Sequence, residues 1–172
     1  MADTFTTNPA KLWIWNLQEA TALEVMLNPN EWDELLAVEY VDSGVQGLSY
    51  RPLHYQGTAN LKVSFDLLLA AETIADKAAL DHARRFLSAI CYPWRGKLRP
   101  PRTLFSWVGE ASITAVIREL KFTNKRFNTS LGIVESLAKV SLEEVRDVRI
   151  YGDDVLQKGL MRGSVKDDKG AL

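Results

Sequence analysis

One segment constrains this chain more than any other. In Leu61–Leu69, the residues Leu61, Val63, Phe65, Leu67 and Leu69 alternate with Lys62, Ser64, Asp66 and Leu68, and Asn60 precedes them in phase with the polar set. Successive strand residues point to opposite faces, so this pattern gathers the large apolar groups on one side. A helix would scatter the same residues around its circumference. The segment is therefore a strand lying on a core, with its other face toward water or a polar lumen. Such a strand needs a second layer to cover its apolar side.

The remaining segments supply that layer. Lys11–Leu17 alternates Trp13, Trp15 and Leu17 with Leu12, Ile14 and Asn16, a strand apolar on both faces and so expected between layers. Ala22–Leu27 reads as a second strand. It is closed by the turn Asn28-Pro29-Asn30, because Pro29 holds Asn28 extended. Trp32–Val41 fits helix or strand, and Val38, Tyr40 and Val41 tip it to strand. Asp42–Gly57 is rich in glycine, serine and polar residues and is expected to be a long loop carrying Tyr50, His54 and Tyr55. Thr73–Cys91 is predicted to be helical: Ile74, Leu80, Ala83, Leu87 and Ile90 recur at helical spacing, Thr73 or Asp76 can cap its start, and Pro93 marks its stop. Tyr92–Arg102 follows as a loop stiffened by Pro93, Pro100 and Pro101.

Three more strands close the pattern, Thr103–Val108, Ala111–Phe122 and Leu131–Val145. In the second, Ile113, Ala115 and Ile117 share a face, whereas Leu120 and Phe122 are out of phase, so a bulge is expected near Arg118–Glu119. The chain thus divides into a polar extension (1–10), a body (11–149) and a polar tail of mixed charge (150–172), expected to be flexible and to order against a partner. The fold class is mainly β (α+β): antiparallel strands with one helix covering a face or end of a two-sheet sandwich or barrel.

At 172 residues the chain can bury a sizeable core without a disulfide or metal staple. Its net charge of -1 gives no general pull toward nucleic acid or acidic membranes. No apolar run reaches the roughly 20 residues that a spanning helix needs. The start lacks a basic region followed by an apolar one, so it does not read as a secretion signal. Assembly in the cytoplasm is the expectation, with release or membrane anchoring only as part of a larger particle.

Chemistry is sparse. The single cysteine, Cys91, and His82 lie nine residues apart, on opposite faces of the expected helix, although His54 could approach through the fold. No spacing of His, Cys or acidic residues resembles a metal site, and Asp153-Asp154 and Asp167-Asp168 are neighbours whose side chains point apart. Gly44 and Gly47 lack the spacing of a phosphate cradle. No catalytic residue, cofactor or metal is therefore expected. A small enzyme or ligand-binding barrel using His54 and Cys91 stays open as a competing reading. The cluster Arg95, Lys97, Arg99 and Arg102 between Trp94 and Phe105 fits a protein-facing loop, with Trp94 as its anchor and Arg95, Arg99 and Arg102 around it. Binding to single-stranded nucleic acid is the rival for that loop.

The order of segments carries a resemblance. Leu23–Trp32 (LEVMLNPNEW) resembles the opening of the tube-like adaptor proteins of contractile injection systems, relatives of phage tail tube and baseplate hub proteins. Leu61–Leu69 (LKVSFDLLL), the single helix, Arg99–Gly109 (RPPRTLFSWVG) and Ala111–Glu144 follow in the order of that family. Ala115 stands where relatives often have glycine, and Asn128–Glu135 (NTSLGIVE) replaces their usual turn. The resemblance spans Leu12–Val145. It implies a barrel or sandwich of the phage tail tube type, without the LysM module of some relatives. Copies would assemble as a hexameric ring that connects the spike or baseplate hub to the inner tube. A repeatedly stacking inner tube subunit is the alternative within the same machine. Asn60, Lys62, Ser64 and Asp66 would then face the lumen. The implied partners are further copies, a spike or hub protein, and tube and baseplate proteins.

Overall fold

A computed structural model describes residues 10–42, 44, 51–107 and 111–146. The tail 150–172 and nearly all of the polar extension lie outside the described residues, as do Tyr50, Val108 and Gly109. Among the described residues nine strands and one helix run in the order β1 (Leu12–Asn16), β2 (Thr21–Glu24), β3 (Trp32–Leu35), β4 (Val38–Asp42), β5 (Leu53–Thr58), β6 (Lys62–Ala70), α1 (Ile74–Ala89), β7 (Thr103–Trp107), β8 (Ala111–Phe127) and β9 (Ile133–Glu144). Seven strands form one sheet, ordered β2-β1-β7-β8-β9-β6-β3, and β4 and β5 form a separate two-stranded ribbon. Every pairing is antiparallel.

The sheet is bent into a sandwich. Trp32 on β3 and Trp107 on β7 are four steps apart in strand order, which in a flat sheet means roughly 19 Å. Their ring centroids are 4.3 Å apart, edge to face. Phe65 on β6 also meets Phe105 and Trp107 on β7, at 6.1 and 5.7 Å. Strands β3 and β6 therefore face β7 across an aromatic interior, and strand twist and the irregularities of β8 supply the curl.

The apolar side of the opening segment forms the centre of this interior. Leu61, Val63, Phe65, Leu67 and Leu69 are all at most 3% exposed. Leu12 and Ile14 from β1, Phe105 from β7, Ile113 and Ala115 from β8, and Ala138, Val140 and Leu142 from β9 complete it. The helix closes the core with Leu80, Ala83 and Leu87, joined by Ile90 at its C-cap; of the stripe its sequence spacing predicts, Ile74 departs, because it stands in the first turn and is 92% exposed. Thr73 is its N-cap: its hydroxyl accepts from the Asp76 amide, and the Asp76 carboxylate accepts from the Thr73 amide in return.

Several expectations need correction. Trp32–Val41 is two strands, not one, and they belong to different sheets. The break falls at Leu36–Ala37, where the Ala37 carbonyl accepts from the Ala59 amide and ties off the ribbon. The expected loop 42–57 holds the end of β4 at Asp42 and all of β5 except Thr58, and the side chains of both strands are mostly exposed, so a core-seeking pattern could not mark them. On β1 only Leu12, Ile14 and Asn16 face the interior; Trp15 is 40% exposed, so the strand is covered on one face and not between two layers. The bulge lies where phase requires it. The β8–β9 register slips between Ile117 and Glu119, which returns Leu120 and Phe122 to the core side. Strand β8 then continues to Phe127, five residues beyond its expected end at Phe122.

Candidate functional site

The described residues give no catalytic constellation to build on, and the surfaces left uncovered by the fold are the candidates. Cys91 sits just past the helix, its thiol donating to the Leu87 carbonyl at 3.2 Å. Burial pushes its pKa up, so at neutral pH it stays a protonated thiol and a poor nucleophile. His82 is exposed and lies beside the Phe86 ring, and His54 lies on the exposed ribbon. Among the described residues no cluster of His, Cys, Asp or Glu is placed to hold a metal ion. No described helix is long and apolar enough to cross a membrane.

The first uncovered surface is the outer face of β6 and its neighbours. Lys62 and Asp66 are exposed and Ser64 half-buried, all on the face away from the core. Pairing with β9 sets Lys62 opposite Glu143, Ser64 opposite Ser141 and Asp66 opposite Lys139. Asn60, in the turn before β6, donates to Glu143 Oε1 at 3.2 Å, and Arg118 at the bulge meets Glu143 Oε2 at 3.1 Å. Between β6 and β9 opposite charges thus face each other, which favours that pairing, whereas Lys121 of β8 stands opposite Lys139. Asn60, Lys62, Ser64 and Asp66 are therefore brought to one polar surface.

The second is the pair of sheet ends. Strand β2 borders only β1, and β3 borders only β6, so each leaves one edge without a strand partner among the described residues. Unpaired amides and carbonyls along such edges are templates for another chain.

The third is the β4–β5 ribbon, which the sequence pattern presents as a strand end and a loop. All of β4 and nearly all of β5 are exposed, with Val38, Tyr40, Val41, Leu53 and Tyr55 among the exposed large apolar residues. A free two-stranded hairpin is marginal in water. The signal that could have found it is the alternation of Leu53 and Tyr55 opposite that of Val38 and Tyr40, which is weak because it is not anchored to a core.

The Pro-rich loop does not present its residues uniformly. Arg95 and Arg99 are exposed, as is Lys97. Gly96 takes a φ of +77°, the left-handed conformation in which glycine is favoured, and lets the Lys97 amide donate to the Trp94 carbonyl in a tight turn. Trp94 is half-buried, with its indole nitrogen enclosed, and Arg102 is half-buried at the entry to β7. Leu98 is the apolar tip of the loop, fully exposed. Outside the loop, Trp13 and Trp15 stack at 5.8 Å on the outer face of β1.

Comparison with known proteins gives the setting. Residues 11–147 match the family model of the contractile injection system tube protein. Among solved structures, the chain is similar to one from the tail of an empty gene transfer agent particle refined helically in C6 symmetry. That match has TM-score 0.44 and 12% identity, over 82% of this chain and 95% of that one. It is similar to a chain of the native gene transfer agent virion, with TM-score 0.42 and 11% identity over 79% and 92% of the two chains. It also resembles a chain of the anti-feeding prophage baseplate in a 6-fold symmetrised cryo-EM structure, with TM-score 0.39 and 9% identity over 88% and 98%. No curated protein matches the sequence.

Proposed function

The chain belongs to the contractile injection system tube protein family, a structural component of such a machine, and from that premise we propose that it forms a hexameric ring connecting the spike or baseplate hub to the inner tube. The observation that supports ring formation is the pair of unlike, unpaired edges at opposite ends of one bent sheet. Pairing the β2 edge of one copy with the β3 edge of the next satisfies both sets of backbone groups, and closure of the ring leaves no edge free. Six copies then line a common channel with the outer faces of β6, β8 and β9. Asn60, Lys62, Ser64 and Asp66 stand in that lining. Their balanced charges keep the wall hydrated without attracting one sign of passing cargo.

The remaining surfaces serve contacts along the axis. The loop carrying Trp94, Arg95, Arg99 and Arg102 faces the spike, hub or baseplate proteins, with Leu98, Arg95 and Arg99 as the accessible part. Assembly takes place in the cytoplasm, and the ring leaves it only within the particle.

Electron microscopy of the purified full chain tests the assignment. Single rings are expected; long stacked tubes would instead support the repeating tube subunit. Labelling tests the lining. In a Cys91→Ser background, Lys62→Cys and Asp66→Cys should react with small and bulky maleimides alike in the free subunit. In assembled rings closed off by their neighbours, the bulky reagent should be excluded. Equal reaction with both reagents in such assemblies overturns the lumen placement.

A further inference from the structure

Between α1 and β8 lies an open groove of about 490 Å³ lined by Arg84, Arg85, Ser88, Ala89, Tyr92 and Phe122. Its lining combines the small Ser88 and Ala89, the aromatic Tyr92 and Phe122, and the cationic Arg84 and Arg85. Arg84 is held in place: its guanidinium lies 4.9 Å from the Phe122 ring centroid and donates to Asn124 Oδ1 at 3.0 Å. Asn124 Oδ1 also accepts from Ser136 Oγ at 3.0 Å. Neither partner of Arg84 carries a negative charge, and among the described residues neither Arg84 nor Arg85 meets a carboxylate. A groove with a preorganised arginine and uncompensated positive charge favours an occupant that combines an apolar or aromatic group with a carboxylate.

The same molecule displays such a group. After the irregularity between Glu39 and Tyr40, Tyr40 pairs with Tyr55 and Asp42 with Leu53, so these four residues share one face of the ribbon. The two tyrosine rings are 6.0 Å apart, edge to face. Tyr40, Leu53 and Tyr55 are 56%, 63% and 61% exposed. Neither strand of the ribbon contains a lysine or arginine, whereas β4 contains Glu39 and Asp42. The ribbon is an exposed acidic, aromatic element, and the groove is a concave, basic, aromatic one.

The geometry points to docking of the β4–β5 ribbon of one copy into the α1–β8 groove of a second copy, with Tyr40 and Tyr55 against Tyr92 and Phe122 and Asp42 between Arg84 and Arg85. The contact is heterologous, since different surfaces meet. It rests on the reading of the chain as a self-assembling ring component and names a contact that edge pairing alone does not provide.

Cross-linking of the full chain tests it. In a Cys91→Ser background, Tyr40→Cys on one preparation and Ala89→Cys on another should form a disulfide dimer when mixed under mild oxidation. Asp42→Lys in the first or Arg85→Glu in the second should each lower the yield about tenfold, the effect of losing one close interfacial charge pair, and mixing both reversed variants should restore it. Ring formation is followed in the same samples by electron microscopy. Rings without the disulfide, or a yield indifferent to both charge reversals, overturn the docking and leave the ring assignment standing. A chain that stays monomeric at every concentration and forms no disulfide overturns both. A Tyr40→Cys/Ala89→Cys double variant that closes within one chain at high dilution overturns the choice of a second copy.

Discussion

Thr73 shows how a single side chain fixes an element. Its hydroxyl satisfies the Asp76 amide, and Asp76 returns the contact to both the Thr73 amide and hydroxyl, at 2.9 and 2.7 Å. Thr73→Ala should cost about 1 kcal/mol of stability, read from thermal or denaturant unfolding. The hydrogen bonds from the Thr73 side chain, then its backbone, hold the Asp76 carboxyl below its usual 3.8. A depressed carboxylate pKa stabilises the fold fully above the unfolded value and loses that contribution as pH falls through the folded one. Stability measured from pH 5 downward should therefore decline less steeply in Asp76→Asn than in the parent chain. The sequence offers Thr73 or Asp76 as the cap because capping is local; the structure makes Thr73 the cap and Asp76 its capping-box partner. The exposure of Trp15 was not, because alternation shows that a residue lies on the second face of a strand but not whether a second layer covers that face.

Strand β8 carries the clearest element-scale lesson. One extra residue at Arg118 keeps Ile117 on the core side and returns Leu120 and Phe122 to it. Deleting Arg118 removes the irregularity and preserves the alternation, so that variant should still fold and stay soluble. Inserting one polar residue after Glu119 puts Leu120 and Phe122 on the outer face and should cause aggregation or a large loss of melting temperature; light scattering and thermal unfolding separate the two outcomes. The bulge was legible because a phase slip between apolar residues leaves a mark. Strand β5 was not, because its residues have no core to face, and composition then resembles a loop. The same absence of a core contact hid the break between β3 and β4.

At the scale of the molecule, the apolar pattern identified the core and the antiparallel class, and segment order identified the family that the match over residues 11–147 shows. The pattern called for a sandwich or barrel, but which strands face each other was not readable, since that depends on Trp32 on β3 and Trp107 on β7 meeting across the interior from four steps apart in strand order. A chain that uses its edges and ribbon to bind other copies is stabilised by mass action. Its melting temperature should rise with protein concentration, and a value constant over a hundredfold range of concentration, roughly 2.7 kcal/mol of linkage for tight association, would count against self-assembly. The two sheet ends also differ from each other: β2 is Thr-Ala-Leu-Glu, and β3 is Trp-Asp-Glu-Leu with Trp32 turned inward. Copies joined by unlike edges must all point the same way around the axis, because no two-fold rotation exchanges them. A ring built in this manner has a front and a back made of different residues, so orientation is written into each subunit before any other component of the machine arrives.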